Sequence, residues 1–130
     1  MSAFSEALSV TASGLRAQSE RLRVLSENIA NVDTPGYHRK TIPFDLDRSG
    51  PGGLARVEPG RIDFDRSDLE KVYDPGHPLA NEAGTYDGSN VDLIVELADA
   101  REAQRSYEAN LKMFEQTRQM SSSLMDLLRR

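Results

Sequence analysis

Leu22-Arg23-Val24-Leu25-Ser26-Glu27-Asn28-Ile29-Ala30-Asn31-Val32-Asp33-Thr34-Pro35-Gly36-Tyr37 carries two signals in sixteen residues: apolar side chains at helical spacing, then an abrupt stop. Upstream, the spacing continues. Phe4, Leu8, Thr11, Leu15, Gln18, Leu22, Leu25, Ile29 and Val32 are separated alternately by four and three residues, the seam of a heptad, and seven of the nine are apolar. Within a helix expected from Ala3 to Asp33, the span from Phe4 to Val32 would be on the order of 43 Å long, too long for a narrow stripe to be hidden inside one small globule. It calls for a partner helix. Gly14 costs about 1 kcal/mol relative to alanine, so a weak point or a close helix contact is expected there. Asp33-Thr34-Pro35-Gly36 ends the helix, because a residue before proline is pushed toward extended backbone and Pro-Gly suits the centre of a type II turn.

Working outward, the helix breakers partition the rest. All six prolines lie between Pro35 and Pro78, and eight of the nine glycines between Gly36 and Gly88. A second breaker-free segment runs from Asn90 to Arg130. It opens on Ser89-Asn90-Val91-Asp92, which reads as a capping arrangement with the Ser89 hydroxyl at the helix start and an acidic residue three positions on. Leu93, Leu97, Ala100, Gln104, Tyr107, Leu111 and Phe114 repeat the four-and-three spacing, and the stripe then drifts to Met120, Leu124 and Leu127. Pairs such as Glu102 with Arg105 and Glu108 with Lys112 are expected to lace the outer face. The middle holds five of the eight aromatics among turn residues, with short strands predicted near Leu54 to Val57 and Arg61 to Phe64. Ser49-Gly50-Pro51-Gly52-Gly53 reads as a flexible connection, since no Lys-Ser/Thr follows it to make a phosphate cradle.

Composition narrows the function. A formal charge of -5, from 21 acidic and 16 basic residues, disfavours a nucleic-acid partner, which demands excess cations to displace counterions. With 38% hydrophobic residues in 130, the chain has little material for a large core. Cysteine is absent, so neither a disulfide framework nor a thiolate metal site is available. The first residues lack the basic and apolar regions of a cleaved secretory signal, and no apolar run approaches the ~20 residues of a bilayer span. His38 and His77 have no second nitrogen ligand at a metal-binding interval, and Asp45/Asp47 and Asp63/Asp65 read as solvated strand faces. No Ser, His and Asp grouping stands out. The expectation is a chain without catalytic residues, metal, cofactor or small-molecule substrate.

Asn28-Ile29-Ala30-Asn31, two variable residues and Thr34-Pro35-Gly36-Tyr37 resemble the N-terminal signature of the bacterial flagellar basal-body rod and hook proteins. Tyr107-Glu108-Ala109-Asn110, with Met120 beyond, resembles the C-terminal signature of the same family. Asp74-Pro75-Gly76-His77-Pro78 and the residues around it, from Val72 to Tyr86, are similar to the middle of the family's proximal rod members. Residues 41–69 match no part of the pattern.

The resemblance implies a structural subunit: terminal helices pairing as an antiparallel or bundled coiled coil that lines an axial tube, and a middle segment that packs against neighbours. It implies as partners other flagellar rod subunits, further copies of this chain and the flagellar type III export apparatus, and a place in the periplasm-spanning rod reached without a cleaved signal. The fold class expected is mainly α, with segments 1–34 and 90–130 forming the helical core and 35–89 an irregular, partly β middle. Phe4, Leu8, Leu15, Leu22, Leu25 and Ile29 on one helix, and Leu93, Leu97, Tyr107, Leu111 and Phe114 on the other, are assigned to the assembly seam. Asn28, Asn31, Thr34, Pro35, Gly36 and Tyr37 are assigned to the helix-ending element, whose amides bond backbone or neighbouring subunits.

Overall fold

The computed structural model describes residues 2–129. The chain runs α1 (Ser2–Ala30), β1 (Lys40–Thr41), β2 (Phe44–Asp47), a 3-10 turn (Pro51–Gly53), β3 (Arg56–Pro59), β4 (Asp63–Phe64), β5 (Lys71–Tyr73), β6 (Thr85–Asp87) and α2 (Leu93–Leu128). The two helices pair side by side and antiparallel. Asn28 near the end of α1 meets Glu96 near the start of α2; Arg21 reaches Asp99 and Glu102; Gly14 lies against Asn110. This is the mainly α hairpin that the two breaker-free segments predict, with the short strands confined to the middle.

α1 ends three residues before the sequence expects. The Asn31 amide is shared between the Glu27 and Asn28 carbonyls at 3.1 and 3.2 Å, and Val32 bonds Ile29, so the last turn tightens. The Asn31 side chain donates back to Glu27 O at 2.8 Å and accepts from Thr34 Oγ1 at 3.0 Å. The Tyr37 amide then closes on Thr34 O at 3.2 Å over Pro35 and Gly36, whose φ is +74°. Proline first and a positive-φ glycine second is the type II turn anticipated for this pair.

At the other helix the expected cap is corrected. Asp92, not Ser89, is the N-cap, its carboxylate accepting from Ile94 N at 3.1 Å and Val95 N at 3.4 Å. Ser89 is drawn away because its hydroxyl donates to Val32 O, and Asn90 because its amide bonds Asp65 O and Ser67. Helix therefore begins at Leu93 and not at Asn90. Nor do Glu102 and Arg105, or Glu108 and Lys112, form ion pairs among the described residues; Glu102 turns to Arg21 across the hairpin instead.

The middle is built of three antiparallel ladders. β1 pairs with β4 and β2 with β3. These four strands make one long hairpin, interrupted at Pro43, which lacks the N–H a ladder requires but whose carbonyl accepts from Gly60 at 2.8 Å. The glycine-rich run turns the tip of this hairpin. Its return strand lies along α1, where Ser13 Oγ accepts from Val57 N at 3.1 Å and Ser9 Oγ from Arg56 Nε at 2.7 Å. β5 and β6 form a separate ladder whose long loop, residues 74–84, is stitched by its own turns and by the His77 ring stacked on Tyr86 at 4.0 Å.

Candidate assembly interface

The interior is thin and half polar. The buried apolar residues are Ala17, Val24, Leu25, Val91 and Ala103, and beside them Ser13, Asn28, Ser89 and Glu96 are equally enclosed. Hydrophobic burial on this scale does not by itself fix how two long helices lie, so the polar groups carry part of that task.

They are gathered where the hairpin closes. Asn28, fully buried on α1, donates to Lys40 O at 2.8 Å and to Glu96 Oε2 at 3.4 Å, while its oxygen accepts from Lys40 N at 2.9 Å and Tyr37 Oη at 2.8 Å. Glu96, fully buried on α2, gives its other oxygen to Arg39 Nε. The Arg39 guanidinium also approaches Asp99 at 3.6 Å and Asp65 at 3.8 Å, and the Asn90 oxygen holds the Arg39 amide. Burial raises the Tyr37 hydroxyl above its ordinary pKa, and the nearby Glu27 and Glu96 carboxylates add to the effect. Asp65 is held below the usual carboxylate range, first by the Ser67 amide and hydroxyl, then by Arg39 and His38. Each buried charge or amide here has a partner on a different element, and the result is a tie between α1, α2 and the segment leaving α1.

The helix seam itself is not the leucine stripe. α1 meets α2 through Gly14, Arg21 and Asn28, while Ala17 and Val24 are buried on neighbouring faces; α2 answers with Glu96, Ala103 and Asn110. A Cβ added at Gly14 would stand 2.9 Å from the Asn110 side chain, which is the close contact that a mid-helix glycine foretells. In each helix this contact seam falls one residue before the expected stripe: 14, 21 and 28 against 15, 22 and 29; 96, 103 and 110 against 97, 104 and 111. At about 100° per residue, that offset turns Leu97 and Leu111 of α2 away from the partner helix.

On α2 they reach the surface. Leu93, Leu97 and Leu111 are 41%, 47% and 37% exposed, and beyond them Met120, Leu124 and Leu127 are exposed as well. Tyr107 and Phe114 are half-buried, as are Phe4, Leu8, Leu15, Leu22 and Ile29 on α1, whereas Leu25 is already enclosed. Gln18 on the α1 stripe has its side-chain oxygen buried with no hydrogen-bond partner among the described residues. An open apolar groove of about 670 Å³ lies between Phe4 and the last turns of α2, lined by Met120, Leu124 and Leu127.

Of the motif residues, Asn28, Asn31, Thr34, Pro35, Gly36 and Tyr37 come together at the closed end. Asp74 and His77 order their own loop through bonds to His77 N and Leu79 N, with Pro75 and Pro78 beside them. Asn110 seats on Gly14, while Ala30, Glu108 and Ala109 are exposed. Sequence reading missed Arg39 and Glu96. Their signal is a carboxylate at the helix position that the leucine repeat leaves unassigned, together with a cation just past the turn. Among the described residues no cluster of His, Cys, Asp and Glu could hold a metal ion, and no helix is long and apolar enough to cross a membrane.

Comparison with known proteins gives the same direction throughout. The family described as flagella basal body rod protein matches residues 8–38, and the C-terminal family of the flagellar basal body rod FlgEFG proteins matches residues 82–127. The flagellar basal-body rod protein FlgC of Agrobacterium fabrum is 44% identical over 99% of this chain and 98% of its own length. FlgC of Bacillus subtilis is 34% identical over 98% and 99%, and FlgC of Salmonella typhimurium 30% over 91% and 92%. With both ends matched to rod families and the whole length aligned with rod proteins, this chain belongs to the FlgC family of flagellar basal-body rod proteins and is a structural subunit.

Proposed function

We propose that this subunit builds the proximal part of the flagellar rod by helical association with copies of itself and with other axial proteins, using the outward-turned leucine stripe as its contact surface, and so transmits torque. The observation that carries this reading is the solvent exposure of Leu93, Leu97 and Leu111 along one line of a 36-residue helix whose inner face is already occupied. Contiguous apolar side chains left in water along a helix favour coverage by another helix. The half-buried Phe4, Leu8, Leu15, Leu22, Ile29, Tyr107 and Phe114 extend that surface, with Leu25 supporting it from beneath. The terminal segments 1–34 and 90–130 serve the helical core, and 35–89 the contacts outside it.

The reading extends to export through the flagellar type III apparatus without a cleaved signal, into a rod that crosses the periplasm. A thin interior suits that route, because a chain with few buried apolar groups resists unfolding weakly. Chemistry on a substrate has no role in this account. The test is replacement of Leu93, Leu97 and Leu111 by serine in the chromosomal gene. Exported protein that yields no rod, and cells that do not swim, are expected. Rods of normal number and normal swimming would refute the assignment of the stripe, and accumulation of the variant inside the cell would show that the damage lies in export.

A further inference from the structure

We propose that Glu96 is a rotational key: its buried contacts with Arg39 and Asn28 hold α2 turned so that the leucine stripe faces outward. The exposed leucines of α2, taken alone, favour a different orientation. α2 carries two seams one residue apart, one of Glu96, Ala103 and Asn110 and one of Leu97, Gln104 and Leu111, and the structure turns the first inward, with Glu96 and Ala103 fully buried and Asn110 half-buried against Gly14. A turn of about 100° would bring Leu97 and Leu111 onto the low surface of Gly14 and Ala17 and remove two exposed leucines from water.

What opposes that turn is the pairing of Glu96. One oxygen is held by Arg39 and the other by Asn28; Asn28 is fixed independently of α2's rotation, and the Arg39 guanidinium, which also faces Asp99 of α2, is anchored outside it by Asp65. The Arg39 amide is held by Asn90, and Asn28 is clamped by Lys40 and Tyr37. Rotating α2 would pull a fully buried carboxylate off both partners, and a stranded buried charge costs more than leucine burial returns. The pair thus selects an orientation that is second best for a solitary molecule. Its benefit to assembly rests on the reading above; the orientation itself is a property of the isolated chain and is tested there.

The chain has no cysteine, so single cysteines report side-chain access. Leu97→Cys and Ala103→Cys would each be placed in the native full-length chain and in an Arg39→Met/Glu96→Leu background, and thiol labelling rates measured on the purified protein. Asn28 keeps its bonds to Lys40 and Tyr37 in that background, and Asp99 keeps Arg21, so the double replacement leaves no lone buried charge. In the native chain position 97 is expected to react more than about tenfold faster than position 103, following their exposure. In the double variant the order should invert. Native order retained in the double variant would overturn the proposal, since something else then sets the rotation. Rapid labelling at both positions would overturn it too, because the ion pair would then hold the helices together without choosing between seams. Glu96→Gln, which keeps the shape but removes the charge and turns one acceptor into a donor facing Arg39 or Asn28, should narrow the gap between the two positions. A gap as wide as the parent's in that variant would overturn the two-oxygen clamp, since shape alone would then set the rotation.

Discussion

The closed and open ends of the helix hairpin are stabilised in different ways. At the closed end, residues 28–40 and 87–99 are joined by side-chain and backbone hydrogen bonds. At the open end, Phe4 faces α2 across an open apolar groove, and Leu124, Leu127 and Leu128 are exposed. The first region is closed by its own polar contacts; the second leaves apolar side chains in water. Stability in the free subunit is therefore concentrated at one end. The contrast breaks most sharply at Glu96. Glu96→Ala removes the buried acceptor shared by Arg39 and Asn28 and is expected to cost about 2–3 kcal/mol in urea unfolding, whereas Leu127→Ser at the open end should stay within about 0.5 kcal/mol. Equal losses at the two sites would mean that the ends are not distinct.

Next in size is the turn that brings the chain from α1 into the tie. Nothing lies within 4 Å of a Cβ built on Gly36, so a side chain there meets no steric obstacle and the whole penalty comes from φ of +74°. Gly36→Val is expected to cost roughly 1–2 kcal/mol from backbone strain. A thermal midpoint unchanged from the parent would show that the turn relaxes to negative φ without disturbing the bonds from Gly36 N to Asp87 and Gly88.

The helices were legible in the sequence because breakers and periodicity are local properties, and the type II turn because Pro35-Gly36 has few other uses. Which face of each helix looks inward was not. Periodicity locates an apolar stripe wherever it points, and here the stripe at 97, 104 and 111 points out. Glu96 was invisible for the same reason: a glutamate on a helix reads as a solvated face unless its partners are known, and Arg39 and Asn28 lie 57 and 68 residues away. Asn28 itself was legible only through family resemblance, since an asparagine amid leucines has no periodic meaning. The strands expected near Leu54 to Val57 and Arg61 to Phe64 overlap β3 and β4, but their bounds and the other short strands were not legible, because they are set by tertiary contacts, Val57 by Ser13 and Gly60 by Pro43, and not by alternation along the chain.

The smallest expected effect sharpens the comparison through pH. The Tyr37 hydroxyl donates to Asn28 at the closed end, and its pKa is raised above the ordinary tyrosine value of 10.0 by burial and by Glu27 and Glu96. The folded state thus holds the proton more tightly than the unfolded state. Below pH 10 both states are protonated and the hydrogen bond contributes fully, by about 1 kcal/mol. As pH rises through the raised folded value, the unfolded chain has already ionised, and the contribution is lost. Tyr37→Phe removes both the bond and the titration. The parent should be the more stable chain at pH 8, and its advantage should shrink or reverse between pH 10 and 12, as measured by denaturant unfolding of the two proteins side by side. Charges elsewhere titrate alike in both chains, so the difference isolates this hydroxyl. An advantage that stayed constant up to pH 12 would mean that Tyr37 does not ionise on unfolding in that range, and that the polar tie is wetter than its packing indicates.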